Sequence, residues 1–175
     1  MKYIFLALLT ISLIAHIGTF IPGVRESMDW TWPLHVAVVL LFVVLAFQAQ
    51  KLAPSVFRPQ SILTLRMDPS VRMSLQSVPR VMKAMFALTM VYFILIFVAT
   101  FFTFPGGTVE DIGGQHRLVS HGQIIRLLPQ SEYTGFQNHL VRSFSALWIY
   151  FSLAGFIGAA YILPAMKLYK EANEN

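Results

Sequence analysis

The chain has 175 residues and a net charge of +5; 56% of it is hydrophobic, 12% is charged, and it contains no cysteine. Soluble domains carry roughly 25% charged residues, so a water-exposed globule of this size would lack the polar surface to cover its apolar content. Without cysteine, disulfides, thiolate metal sites, iron–sulfur clusters and thiol redox catalysis are all excluded, and with them the function of the similarly sized quinone-coupled disulfide-forming oxidoreductases.

Four stretches satisfy the length of about 20 mainly apolar residues that a membrane helix requires. They are 3–21, 30–48, 84–104 and 143–166, and none contains Asp, Glu, Lys or Arg. Each is expected to be helical, because an open strand in hydrocarbon leaves backbone groups unpaired. The first run, behind Lys2, has the look of a secretory signal peptide. It continues past His16 to Ile21 with no small-x-small cleavage site, so an uncleaved helix is expected.

Lys2, Lys51, Arg58, Arg66, Arg72, Arg80, Lys83, Lys167 and Lys170, nine of the 13 basic residues, fall on one side of these spans. The positive-inside rule then places both termini and the 49–83 loop in the cytoplasm of a bacterial inner membrane. Basic residues in such connectors are explained by topology and anionic lipid headgroups, and no nucleic acid is expected as a partner.

Within the cytoplasmic loop, Asp68-Pro69 reads as a helix start, with an acceptor at the N-cap and proline at the first helical position. A short helix to Val78 would place Val71, Leu75 and Val78 on one face and lie on the inner leaflet, with Arg66, Arg72 and Arg80 over anionic lipids.

The outer segment, 105–142, is the most organised connector. Two β-prone runs, 116–120 and 123–127, flank His121-Gly122 and predict a hairpin with a two-residue turn. A simple register sets Arg117 opposite Arg126, which is unfavourable, so a shifted register, solvation or an intervening anion is implied. Ser131 and Glu132 then open a helix on which Tyr133, Phe136, Leu140, Phe144 and Trp148 form one face that carries on into the last span. The His-Gly hairpin, the acid-Tyr helix start and the Arg-x-Phe-Ser entry into the last span resemble small bacterial four-span inner-membrane proteins. That resemblance covers about residues 116–150 and implies no activity. The expected fold is an all-α membrane protein, a single domain of four transmembrane helices in a bundle, with a short β-hairpin in the outer loop between the third and fourth.

Candidate sites are few. All five histidines fall in the outer half, and His16 and His35 each lie about 7–8 Å below the outer surface at 1.5 Å per residue. His16, His35 and His139 are candidate ligands for a b-type haem or a metal ion, since imidazole suits iron, copper and zinc. The alternative is that these imidazoles hydrogen-bond within the bundle or sit in the wet interfacial zone. Arg117, Arg126 and Arg142 are candidates for an anion or lipid phosphate. In the last span Ala154 with Gly158, and Gly155 with Ala159, make small-xxx-small pairs suited to close helix packing, either inside the bundle or against a partner or second copy. No catalytic constellation is present, and no carboxylate lies in a span as a proton-coupled transporter would require. The expected function is therefore non-catalytic binding, as an accessory or assembly subunit of a membrane complex or an immunity-type protein, with no cofactor. The alternatives are the histidine-ligated haem or metal protein and a small lipid-phosphate-binding protein or transporter.

Overall fold

The computed structural model describes residues 1–21, 32–52, 69–103 and 106–174. In chain order the elements are α1 (Lys2–Gly18), α2 (Trp32–Leu52), α3 (Pro69–Ser77), α4 (Arg80–Thr103), the strands β1 (Thr108–Ile112), β2 (Gln115–Ser120) and β3 (Gln123–Leu127), and then α5 (Gln130–Ile157). A π-helical turn, Gly158–Ile162, joins α5 without a break to α6 (Leu163–Glu174).

Three of these helical stretches are long and apolar enough to cross a membrane: Pro33–Leu52, Arg80–Thr100 and the continuous Gln130–Asn173. The first predicted span is shorter than expected. Its helix closes at Gly18 rather than Ile21 and has 17 residues, about 25 Å at 1.5 Å per residue. The hydroxyl of Thr19 folds back onto the His16 carbonyl at 2.7 Å, and the Thr19–Ile21 backbone turns on i→i−3 and i→i−4 bonds.

The helices do not form a closed four-helix bundle. α1, α2 and α4 each pack on α5, whereas α1 touches α2 only slightly and α2 and α4 hardly meet. Phe5 seats on Gly155 and His16 on Ser145, so α1 runs antiparallel to α5. Phe86 stacks on Tyr150 and Thr100 bonds Ser143, so α4 is antiparallel too. His35 meets Trp148 and Leu45 meets Gly158, so α2 runs with α5. The direction therefore alternates along the chain. All five lysines lie toward one end of the assembly, and the sheet caps the other.

The predicted hairpin is the second half of a three-stranded antiparallel sheet, ordered β1-β2-β3. Both connections are two-residue turns with positive φ at each central residue: 62° and 78° at Gly113-Gly114, 51° and 77° at His121-Gly122. Such turns match the twist of the strands they join, and glycine adopts that backbone without a Cβ clash. The register between β2 and β3 slips at Leu118/Val119, so Arg126 faces Leu118 and Arg117 faces Leu127, and the like charges are not opposed. On its other side Arg117 lies opposite Glu110 of β1. β1 escapes a reading by propensity because Glu and Asp are depleted in strands; here their pairing with Arg117 and His116 compensates.

The sheet is fastened to the start of α5. Leu118, Leu128 and Phe136 form a buried cluster flanked by Val109 and Tyr133. His116 stacks on Tyr133 with centroids 4.0 Å apart and bonds Gln130 at 2.5 Å. The predicted aromatic stripe is divided along α5: Phe136 packs under the sheet and Trp148 against α1 and α2, while Leu140 and Phe144 remain exposed at 40% and 43%.

Near the lysine end, Pro164 explains the π turn. Proline has no N–H to give the carbonyl four residues back and its ring clashes there; widening the helix by one residue per turn relieves both. α3 begins at Pro69 as predicted, and Asp68 lies outside the described residues. α3 docks onto α6 and the π turn, burying Ser70, Ser74 and the adjacent Val78. Ser74 is tolerated there because its hydroxyl bonds the Ser70 carbonyl at 2.6 Å.

Candidate functional site

Toward the sheet end, α1, α4 and α5 converge on His16, which is 6% exposed. Its Nδ1 lies 2.7 Å from Ser145 Oγ and its Nε2 2.5 Å from the Tyr92 hydroxyl. Ser145 Oγ is also 2.8 Å from the Val141 carbonyl. One chain of donors satisfies every member: Tyr92 O–H donates to Nε2, Nδ1–H donates to Ser145, and Ser145 donates to Val141. In apolar surroundings such a neutral chain ties three helices together.

This arrangement limits the chemistry open to it. Ser145 is 0% exposed, so no substrate reaches its hydroxyl although a histidine adjoins it. The chain of bonds ends on a backbone carbonyl, which cannot pass a proton onward. A metal at His16 would have to displace Tyr92 or Ser145, because both ring nitrogens are engaged.

Beside this cluster Arg142 closes the end of α1. Its Nη2 donates to the Thr19 carbonyl at 3.3 Å and its guanidinium lies 4.4 Å from the centre of the Phe20 ring. A cation at a helix C-terminus complements the free carbonyls there, and the aromatic face adds a second attraction. Thr100 and Ser143, 2.5 Å apart, continue the polar seam between α4 and α5.

His35 belongs to a separate pair. The Trp148 indole donates to its Nδ1 at 2.7 Å, which places the proton of the neutral ring on Nε2. Phe144 meets the same ring edge-on at 5.5 Å. His16 and His35 thus reach α5 three residues apart, each with its own partner. His139 is half-buried on α5, and among the described residues no group of three or more His, Cys, Asp or Glu could hold a metal.

The arginine trio is not gathered into one site. Arg117 donates to Gln115 at 2.7 Å. Arg126 grips Glu132 with both terminal nitrogens, one bond being 2.8 Å. The hydrogen bond from Arg126 holds the Glu132 carboxyl below the usual carboxylate range. Since successive residues of a strand face opposite ways, Arg117 and Arg126, paired with Leu127 and Leu118, lie on opposite faces of the sheet.

The small residues of the last span divide as well. Gly155 receives the Phe5 ring of α1 and Gly158 receives Leu45 of α2, so both support packing within the chain. Ala154 and Ala159 line two different pockets toward the lysine end. Of the three arginines expected to lie over the inner leaflet, Arg72 and Arg80 are exposed at that end, and Arg66 lies outside the described residues.

Sequence reasoning singled out His16 and His35 but not their partners. Tyr92, Ser145 and Trp148 are single polar or amphipathic residues in apolar helices, and no local spacing marks them as neighbours of a histidine more than 70 residues away. No family model matches the chain, and no curated protein or solved structure matches it.

Proposed function

We propose that this is a non-catalytic, four-span protein of a bacterial inner membrane, with both termini cytoplasmic, that acts by binding another membrane protein as an accessory, assembly or immunity-type subunit. α1, with Tyr3, Ile14 and Ile17 exposed on its surface, is the fourth span. A modest local thinning of the bilayer accommodates its length. The gathering of the lysines at one end supports that end as cytoplasmic and the sheet as external.

The observation that carries the binding role is β3. It is an edge strand, exposed at every residue, with Ile124 at 54%, Ile125 at 52% and Leu127 at 61%. Proteins normally protect such an edge with charge, proline or cover, since its free N–H and C=O groups invite another strand. The clamp of Arg126 on Glu132 and the buried Leu118–Leu128–Phe136 cluster fix the strand to α5, so a partner meets a preformed edge.

A photo-crosslinking residue at Ile125 tests this in native membranes. Adducts with one recurrent membrane protein are expected from position 125, and none from position 88 on the lipid-facing side of α4. Recovery of the uncrosslinked chain alone from position 125 would contradict the proposal.

A further inference from the structure

At the opposite end of the molecule, the gap left where α2 and α4 fail to meet is a cavity of about 780 Å³. That volume falls within the roughly 300–1,000 Å³ of small-molecule sites. Its body is apolar: Phe42 and Leu45 of α2, Phe86 of α4, and Ile157 with Gly158 at the π turn. α3 covers the end nearest the lysines, and there Arg72 from α3 and Lys83 from α4 border a cavity whose surface is otherwise apolar. Among the described residues, neither cation has an acidic partner.

We infer that this cavity holds one anionic phospholipid, its acyl chain between α2 and α4 and its phosphate against Arg72 and Lys83. Several observations favour this occupant. An apolar body bordered at one end by two cations without an acidic partner among the described residues suits an amphiphile with an anionic head. The cations sit at the end where Lys51, Lys167 and Lys170 also cluster, the level of a headgroup layer. The gap lies between two helices that are both long and apolar enough to cross a membrane, so a chain enters sideways from the bilayer. The π turn contributes as well: Gly158 and Ile162 both line the cavity, so the widening that Pro164 imposes shapes its floor. Only the membrane embedding proposed above is required, not the partner at β3.

The test is native mass spectrometry of the protein released from nanodiscs containing equal phosphatidylglycerol and phosphatidylcholine. One retained phosphatidylglycerol per chain is expected. The double variant Arg72→Gln/Lys83→Gln should lose this preference by about thirtyfold, from the attraction of two basic residues near a headgroup. Ala46→Phe, which fills the cavity from α2, should abolish retention, and the smaller Ala46→Leu should weaken it; circular dichroism identifies any variant that fails to fold. Equal retention of both lipids, an unchanged preference in the double variant, or a lipid that survives Ala46→Phe would each overturn the inference. A folded, detergent-requiring protein that retains no lipid overturns this inference alone, whereas a chain soluble without detergent overturns the membrane embedding too.

Discussion

Replacing Trp148 with alanine is expected to lower the stability of the helical assembly by about 2–4 kcal/mol. Trp148 is 4% exposed and sits in the buried cluster with Leu8, Ala15 and Val38, so α1, α2 and α5 all rest on it. In lipid the transfer contribution is small, because acyl tails are as apolar as the core. What remains is the cavity left by an indole and the loss of its contacts with three helices. Trp148→Phe separates packing from hydrogen bonding: it keeps most of the volume and removes only the bond to His35, for which about 1 kcal/mol is expected. Thermal unfolding in a fixed detergent should rank wild type above Trp148→Phe and Trp148→Phe well above Trp148→Ala. Equal losses for the two variants would mean that the indole–imidazole bond, rather than packing, organises the centre.

Gly155→Val is expected to cost about 2–3 kcal/mol, by overpacking rather than by a cavity. A Cβ at residue 155 would overlap three atoms of the Phe5 ring, and Phe5 is 0% exposed, so the ring has no room to turn aside. α1 would have to lift off α5, stretching the His16–Ser145 bond further along the same interface. The damage should be smaller in a Phe5→Ala background, where the space is vacated, and the non-additivity of the pair measures their contact. An additive pair would show that α1 is not seated on Gly155. At Gly158 the same substitution meets Leu45 at 2.7 Å from a built Cβ, a flexible side chain able to yield, and the loss there should be less.

The second, third and last helical stretches were legible because composition alone specifies a lipid-compatible helix. Pro69 and His121-Gly122 could be read because each combines a residue type with a backbone requirement: a fixed φ at the helix start, a positive φ in the turn. The end of α1 at Gly18 was not legible. Hydrophobicity continues to Ile21, and what stops the helix is the turn at Thr19 with Arg142 on its carbonyl, a residue more than 120 positions away. β1 was hidden because its acidic residues are suited to a strand only once Arg117 and His116 stand opposite them. Nor does any periodicity reveal that α2 and α4 stay apart. That follows from α5 being the common contact of all three other apolar helices, and the cavity exists because of it.

The arrangement of the chain across the bilayer is best tested by single-cysteine labelling, which the absence of native cysteine makes clean. Right-side-out spheroplasts would be treated with a membrane-impermeant maleimide. Gln123→Cys should label at once, while Lys2→Cys and Lys51→Cys should label only after permeabilisation. Labelling of Lys2→Cys together with Gln123→Cys in sealed spheroplasts would mean that α1 does not cross, and labelling of Lys51→Cys there would invert the whole arrangement.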